Sequence, residues 1–197
     1  MHPFIIERLV DDRHARLRKE AETARLLRDA RRANLEVDIR VLGPSDADHI
    51  AHLFDRLSAR SRFLRFMSPI RTLSAEVLHN LSHIDHQNHE AVGAFNNGVL
   101  VGAAHYFRSA DEPEHAEVAA EVSDRYQRRG IGTCLLRELA AIAHRRGITQ
   151  LHADLVGDNT AALALLRKSG WPSKSEVERG AITIQATITP DLLRPCH

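Results

Sequence analysis

Residues 117–136 read Glu-Val-Ala-Ala-Glu-Val-Ser-Asp-Arg-Tyr-Gln-Arg-Arg-Gly-Ile-Gly-Thr-Cys-Leu-Leu, and no other stretch of the chain limits its fold as much. The stretch begins with strand-like alternation, passes through a basic turn punctuated by Gly130 and Gly132, and opens a long amphipathic helix pattern. Glycine lacks a Cβ, so the backbone there can come close to a ligand. The first N–H groups of a helix have no intrahelical acceptor and sit at the positive end of the helix dipole. A strand, a glycine turn and a helix N-terminus in succession therefore make an anion site suited to a diphosphate. Spacing narrows the kind of site. A Walker loop needs Lys-Ser/Thr after its last glycine, and a dinucleotide fingerprint needs a third glycine where Leu135 stands. Gln-x-x-Gly-x-Gly after a strand is what remains.

Charge and composition exclude other classes. Lys plus Arg number 27 against 26 Asp plus Glu, whereas a protein organised around nucleic-acid phosphates is usually strongly basic. Arginines and aromatics do alternate over residues 60–66, a pattern that could stack bases, but it reads better as a helix that turns Phe63, Phe66 and Met67 into the core. No nucleic-acid partner is therefore expected. Cys134 and Cys196 are the two cysteines, and they imply neither a disulfide framework nor a zinc ribbon. His79, His83, His86 and His89 cluster in sequence, yet no His-Glu-x-x-His pattern or cysteine partner accompanies them. They read as loop and surface histidines, with no metal expected. No apolar run approaches a membrane span, and the first residues lack the apolar core of a leader. A cytoplasmic chain with no membrane partner is the expectation.

Residues 1–35 form a separable extension, with a charged, arginine-rich helix from Asp11 to Ala33. Its thin apolar stripe lies on the domain or on a second subunit, which would make a homodimer; a basic arm is the weaker alternative because acids are interleaved. The domain runs over 36–190, and 191–197 form a tail. Residues 36–42 alternate as a strand, with Val37, Ile39 and Val41 on one face. A helix capped by Ser45 or Asp46 buries Ile50, Leu53, Phe54 and Leu57, and a short helix from Thr72 or Ser74 turns Val77, Leu78 and Leu81 inward. Asn96-Asn97-Gly98 joins strands 91–95 and 99–107 as a hairpin. Strand 117–123, helix 132–146 ended by Gly147, strand 150–156, a helix capped at 158–159 and closed by Gly170, and two short strands (176–179 and 181–188) complete the pattern.

That order and the loop together resemble the GNAT N-acetyltransferases over about residues 36–188. The stretch Asp158-Asn159-Thr160-Ala161-Ala162-Leu163-Ala164-Leu165-Leu166-Arg167-Lys168-Ser169-Gly170-Trp171 matches the family's Asn-x-x-Ala-x-x-Leu-Tyr-x-Lys-x-Gly-Phe helix, with Leu166 at the tyrosine. Residues 57–67 are similar to the Leu-Ser-x-x-Ser-Arg-Tyr-x-Arg-Phe-Phe segment of the bacterial protein-lysine acetyltransferase branch. The resemblance implies an α/β (α+β) GNAT fold, a mixed, mostly antiparallel central sheet flanked by helices. It also implies acetyl-CoA as cosubstrate. The pyrophosphate would take the N–H groups of Gln127, Arg128, Arg129, Gly130, Ile131, Gly132 and Thr133. The pantetheine arm would pair with backbone at Val122 and Ser123, and Asn159 would hydrogen-bond it. Arg128 and Arg129 pair with the phosphates or are plain surface arginines.

The chemistry ranks the remaining candidates. A lysine-like amine has a pKa of ~10.4, so its free base costs about 4.6 kcal/mol to populate near pH 7, whereas a thiol with a pKa near 8.5 leaves readily. The general base therefore matters more than the acid, and Leu166, which cannot protonate the thiolate, is tolerable. In the protein-lysine branch a glutamate ten residues before the loop glutamine is the base, and Glu117 stands there. Glu121 on the same strand face is the second candidate and Asp154 the third. The acceptor amine is a protein lysine or a small-molecule amine. A GNAT-like domain that binds acyl-CoA without turnover is the alternative class.

Overall fold

The computed structural model describes residues 36–178 and 180–193; the helix expected between Asp11 and Ala33, and with it the N-terminal extension, lies outside them. In chain order come β1 (Asp38–Val41), α1 (Ala47–Asp55), α2 (Ala59–Phe66), α3 (Ala75–Ser82), β2 (His89–Asn96), β3 (Val99–Arg108), β4 (His115–Val122), α4 (Ile131–Arg145), β5 (Gln150–Val156), α5 (Thr160–Ser169), β6 (Ser173–Glu178) and β7 (Ala181–Thr187). The strands form one sheet in the order β1-β2-β3-β4-β5-β7-β6. Every neighbouring pair is antiparallel except β4 and β5.

Local chemistry sets most of these elements. Asn97 and Gly98 have φ of 50° and 75°, the two positive values that a tight β2–β3 hairpin turn needs. Ser58, Ser74 and Asn159 each accept a hydrogen bond from the N–H three residues on, capping α2, α3 and α5. On one face of the sheet α4 buries Leu135, Leu136, Leu139 and Ile142, and burying each such side chain stabilises by about 1.5–3 kcal/mol. On the other face Ile50 and Leu53 of α1 and Leu81 of α3 pack against Ala91, Phe95, Leu100 and Ala103 of β2 and β3. The sheet is therefore the middle of three layers.

Several expectations are corrected. Met67 does not enter the core: it ends α2 in the left-handed conformation (φ 50°) and is 48% exposed, because the turn carries it away from the face on which half-buried Phe66 packs against the core. His89 is not a surface histidine but opens β2 and is buried, whereas His79, His83 and His86 are exposed. Asp85 causes the difference. Its Oδ1 accepts the N–H groups of Gln87, Asn88 and His89 at 2.8–2.9 Å and turns the chain into the strand two residues earlier than the apolar pattern suggested. Asp46 precedes α1 without capping it; its carboxylate turns back to Arg40 and the Gly43 N–H. Val41, on the edge strand, is exposed.

Candidate active site

The site is built on a fork. β4 and β5 run parallel only through His115↔Gln150, Ala116↔Leu151 and Glu117↔His152. Beyond Glu117 the strands diverge, β4 remaining on β3 and β5 on β7. In an antiparallel ladder alternate residues turn their N–H and C=O toward the same neighbour. The Ser123 N–H donates to the Val101 carbonyl at 2.9 Å, so the backbone groups of Val122, Ala120 and Val118 point the other way, into the gap facing β5. The open end of the fork leads through the single-turn helix Asp124–Tyr126 to the glycine loop and α4. An extended ligand can add itself to β4 as a strand would, with its head at the loop.

The loop has the backbone of an anion cradle. Arg128 (φ 60°) and Gly130 (φ 92°) are both left-handed and alternate with Arg129, the kind of alternation that turns successive N–H groups toward one point. A Cβ at Gly130 would meet nothing within 4 Å, so its positive φ rather than crowding demands glycine. The N–H groups of Ile131, Gly132 and Thr133 occupy the first turn of α4, at the positive end of its dipole. Arg128 is exposed, and the Arg129 guanidinium lies 5.7 Å from the Tyr126 ring centroid. Gln127 reaches back: its Nε2 donates to the Val122 carbonyl at 2.9 Å and to Ser61 Oγ at 3.2 Å. Ser123 is buried, its N–H used by Val101 and its C=O accepting from the Tyr126 N–H at 2.7 Å.

The candidate carboxylates have different surroundings. Glu117 is exposed at the apex of the fork. Glu121, two pleats along the same face, has a nearly buried side chain whose Oε2 accepts from Arg65 Nε of α2 at 2.6 Å. Asp154, on β5, is exposed and accepts from Thr183 Oγ1 at 2.6 Å. Behind Glu121 lies a pair of buried histidines, His105, which the sequence did not single out, and His89, which it read as a surface residue. His105 Nε2 is 3.8 Å from Glu121 Oε1. His105 Nδ1 is 3.1 Å from His89 Nε2, and His89 Nδ1 is 3.1 Å from the His83 carbonyl. A carbonyl only accepts, so His89 carries its proton on Nδ1, His105 donates from Nδ1, and His105 Nε2 presents a lone pair toward Glu121. Burial, reinforced by Arg65 and His89, holds the His105 imidazole well below the ordinary histidine range; it is neutral at pH 7.

Helix α2 ties this strand to both lips of the fork. Asp124 accepts from Ser58 N (2.9 Å), Ser58 Oγ (2.7 Å) and Ser61 Oγ (2.9 Å). Partial burial alone would raise its carboxyl, but these three hydrogen bonds outweigh burial and hold it below the usual carboxylate range. Arg60 reaches Asp158, just after β5, at 2.5 Å, with both side chains more than half exposed. Asn159 is buried; its Oδ1 accepts from Ala162 N at 3.1 Å, which leaves its amide N–H groups as the donors available to a ligand. Among the described residues no three His, Cys, Asp or Glu side chains converge as metal ligands would. Neither is any helix among them long and apolar enough to cross a membrane. Residues 57–67 carried one hint of α2's role through their resemblance. The pairings of Arg65, Ser58 and Ser61 join positions 56 to 66 residues apart, beyond the reach of any spacing pattern.

Comparison with known proteins agrees with this geometry. The chain is 32% identical to a Pseudomonas aeruginosa acetyltransferase over 119 residues, covering 58% of this chain and 63% of the relative. It is 28% identical to the acetyltransferase Pat of Mycolicibacterium smegmatis over 155 residues, covering 77% of this chain and 46% of that protein. It thus spans less than two thirds of either relative. The solved GNAT domain of S. lividans PAT superposes with a TM-score of 0.73 at 26% identity, over 77% of this chain and 90% of that one. The family model for the acetyltransferase (GNAT) family matches residues 56–171, from the end of α1 through the fork, the glycine loop and α5. With the fork, the loop and the α5 motif all inside a match covering more than half of the chain, the chain belongs to the acetyltransferase (GNAT) family.

Proposed function

We propose that this protein is an acetyl-CoA-dependent N-acetyltransferase that transfers acetyl directly to a primary amine, with a protein lysine as the leading acceptor class and Glu117 as general base. The observation that carries the reading is the β4–β5 fork, whose cleft-facing backbone from Val118 to Val122 ends in the Gln127–Thr133 cradle. The diphosphate of the coenzyme takes the cradle's N–H groups and the positive end of α4. The pantetheine arm lies along β4 and pairs with Val122, and Asn159 donates to it from the opposite lip. Five residues at about 3.3 Å each put Glu117 about 16 Å along the strand from Val122, so an extended arm carries its thioester toward the apex where Glu117 stands.

The amine nitrogen attacks the thioester carbonyl carbon. Its proton passes to Glu117, directly or through one water. The oxyanion is met by a β4 N–H in the cleft. The C–S bond then breaks, leaving an amide and the coenzyme thiolate. A low leaving-group pKa makes that departure easy, so Leu166 where relatives carry tyrosine does not block the reaction. Glu117 is preferred to Glu121 because it is exposed to an entering amine, whereas one Glu121 oxygen is taken by Arg65. A cytoplasmic location, where acetyl-CoA is supplied, supports this reading.

Thiol release from acetyl-CoA with a lysine peptide tests the reading. Glu117→Gln should lower kcat by about 10²–10⁴-fold while coenzyme affinity stays within about twofold. Equal turnover in that variant moves the base to Glu121 or Asp154. Leu166 is the observation that favours a second reading, a domain that binds acyl-CoA without turning it over. Coenzyme binding without thiol release across a panel of lysine peptides, amino acids and diamines would select it.

A further inference from the structure

The hydrogen bonds between α2 and the turn before the glycine loop close into a ring. Gln127 Nε2 carries two hydrogens, one toward the Val122 carbonyl in the cleft (2.9 Å) and one toward Ser61 Oγ on α2 (3.2 Å). Ser61 Oγ has a single hydrogen and gives it to Asp124 Oδ1 at 2.9 Å, so its lone pairs are free to accept from Gln127. Ser58 Oγ gives its hydrogen to the same Oδ1 at 2.7 Å, accepts the Ser61 N–H at 3.2 Å, and its own N–H goes to Asp124 Oδ2 at 2.9 Å. Asp124 and Gln127 are the two ends of one turn, and that turn leads into the diphosphate cradle. Both ends are therefore fastened to the first turn of α2. The far end of α2 holds Glu121 through Arg65.

We propose that Ser61 and Asp124 are positioning residues through which α2 responds to the coenzyme: seating a diphosphate in the cradle fixes the 124–127 turn and thereby orders α2 against β4. This rests on the acetyl-CoA reading of the fork. Its physical basis is that every bond in the ring lies where water competes. Asp124, Ser58 and Gln127 are exposed, and exposed hydrogen bonds have small net worth. Such a ring is near balance, and a ligand that immobilises one side shifts it. By linkage the helix and the coenzyme strengthen each other by the same factor. Helix α2 also has a charge reason to need Asp124. It carries Arg60, Arg62 and Arg65 and no acidic residue in its first turn, so the Asp124 carboxylate supplies the negative charge at its N-terminus.

Amide hydrogen exchange of the full chain, with and without saturating coenzyme A, tests the inference, with calorimetry run alongside. In the wild-type chain coenzyme A should slow exchange at the amides of Phe63–Met67 by about fivefold to thirtyfold. In Ser61→Ala and in Asp124→Asn the slowing should shrink to under about twofold, with coenzyme A still binding by calorimetry, and Ser61→Thr, which keeps the hydroxyl, should restore it. The inference is overturned if wild-type α2 is unaffected although coenzyme A binds, or if the slowing persists undiminished in both variants. Absence of any heat with coenzyme A would instead overturn the reading of the fork, and this inference with it.

Discussion

The buried histidine pair makes stability depend on pH below about 6.5. His105 has no exposed surface, and burial, then Arg65 and His89, push its imidazole well below 6.5. In the unfolded chain it titrates at ~6.5. Between those two values the unfolded chain binds a proton that the folded chain refuses. Stability is therefore complete above pH ~6.5 and is lost as pH falls below it, down to the folded value, at about 1.4 kcal/mol per pH unit. Between pH 7 and 5 the unfolded-chain value limits the loss from His105 to about 2 kcal/mol at most. His89, whose pKa burial also lowers, adds a loss of the same sign. Asp46, Asp85 and Asp124 all have lowered values and stay ionised across this window. Against a typical total of about 5–15 kcal/mol the effect is large. Urea unfolding at half-unit pH steps measures it. The comparison is His105→Phe, which keeps a flat ring in the stack with His89 and Phe107 and should lose less stability than wild type between pH 7 and 5, by up to about 2 kcal/mol. A wild-type loss under about 0.5 kcal/mol, or an equal loss in the variant, would refute the reasoning. Nitrogen-15 spectra at pH 7 should show His105 protonated at Nδ1 and bare at Nε2.

Other substitutions probe the remaining contacts. Arg65→Met leaves the nearly buried Glu121 carboxylate without its cation and should cost about 3–5 kcal/mol in denaturant unfolding, most of it recovered by adding Glu121→Leu. Gly130→Ala forces a side chain to φ 92° and should cost about 1–2 kcal/mol; calorimetry should show weaker coenzyme A binding as the cradle relaxes. Asn159→Ala removes the α5 cap and should lower stability by about 1 kcal/mol. The Asp85 carboxyl is pushed down to about 2 by the N–H groups of His89, Gln87 and Asn88. Its contribution is present above pH ~4 and is lost as pH falls from there through about 2. Because Asp85 is exposed, Asp85→Asn should shift acid unfolding by less than about 1 kcal/mol.

The sequence by itself determined whatever depends on neighbours along the chain. The Asn97-Gly98 turn, the Ser74 and Asn159 caps, the α4 stripe and the glycine loop follow from φ preferences, short side-chain reach and helical spacing, all local quantities, and each stands where the pattern put it. The choice between helix face and helix end was less legible, which is why Met67 reads as core and is exposed. Tertiary structure decided which polar groups meet. Nothing in the spacing of Glu121 indicates Arg65 on another element, and nothing in the scattered histidines shows that His89 and His105 become adjacent across β2 and β3 while His79, His83 and His86 stay in water. Those pairings depend on strand register and on which face of the sheet a helix covers. Both are set by the summed burial of many apolar side chains rather than by any short run of residues, so the polar partners become visible only once the layers are packed.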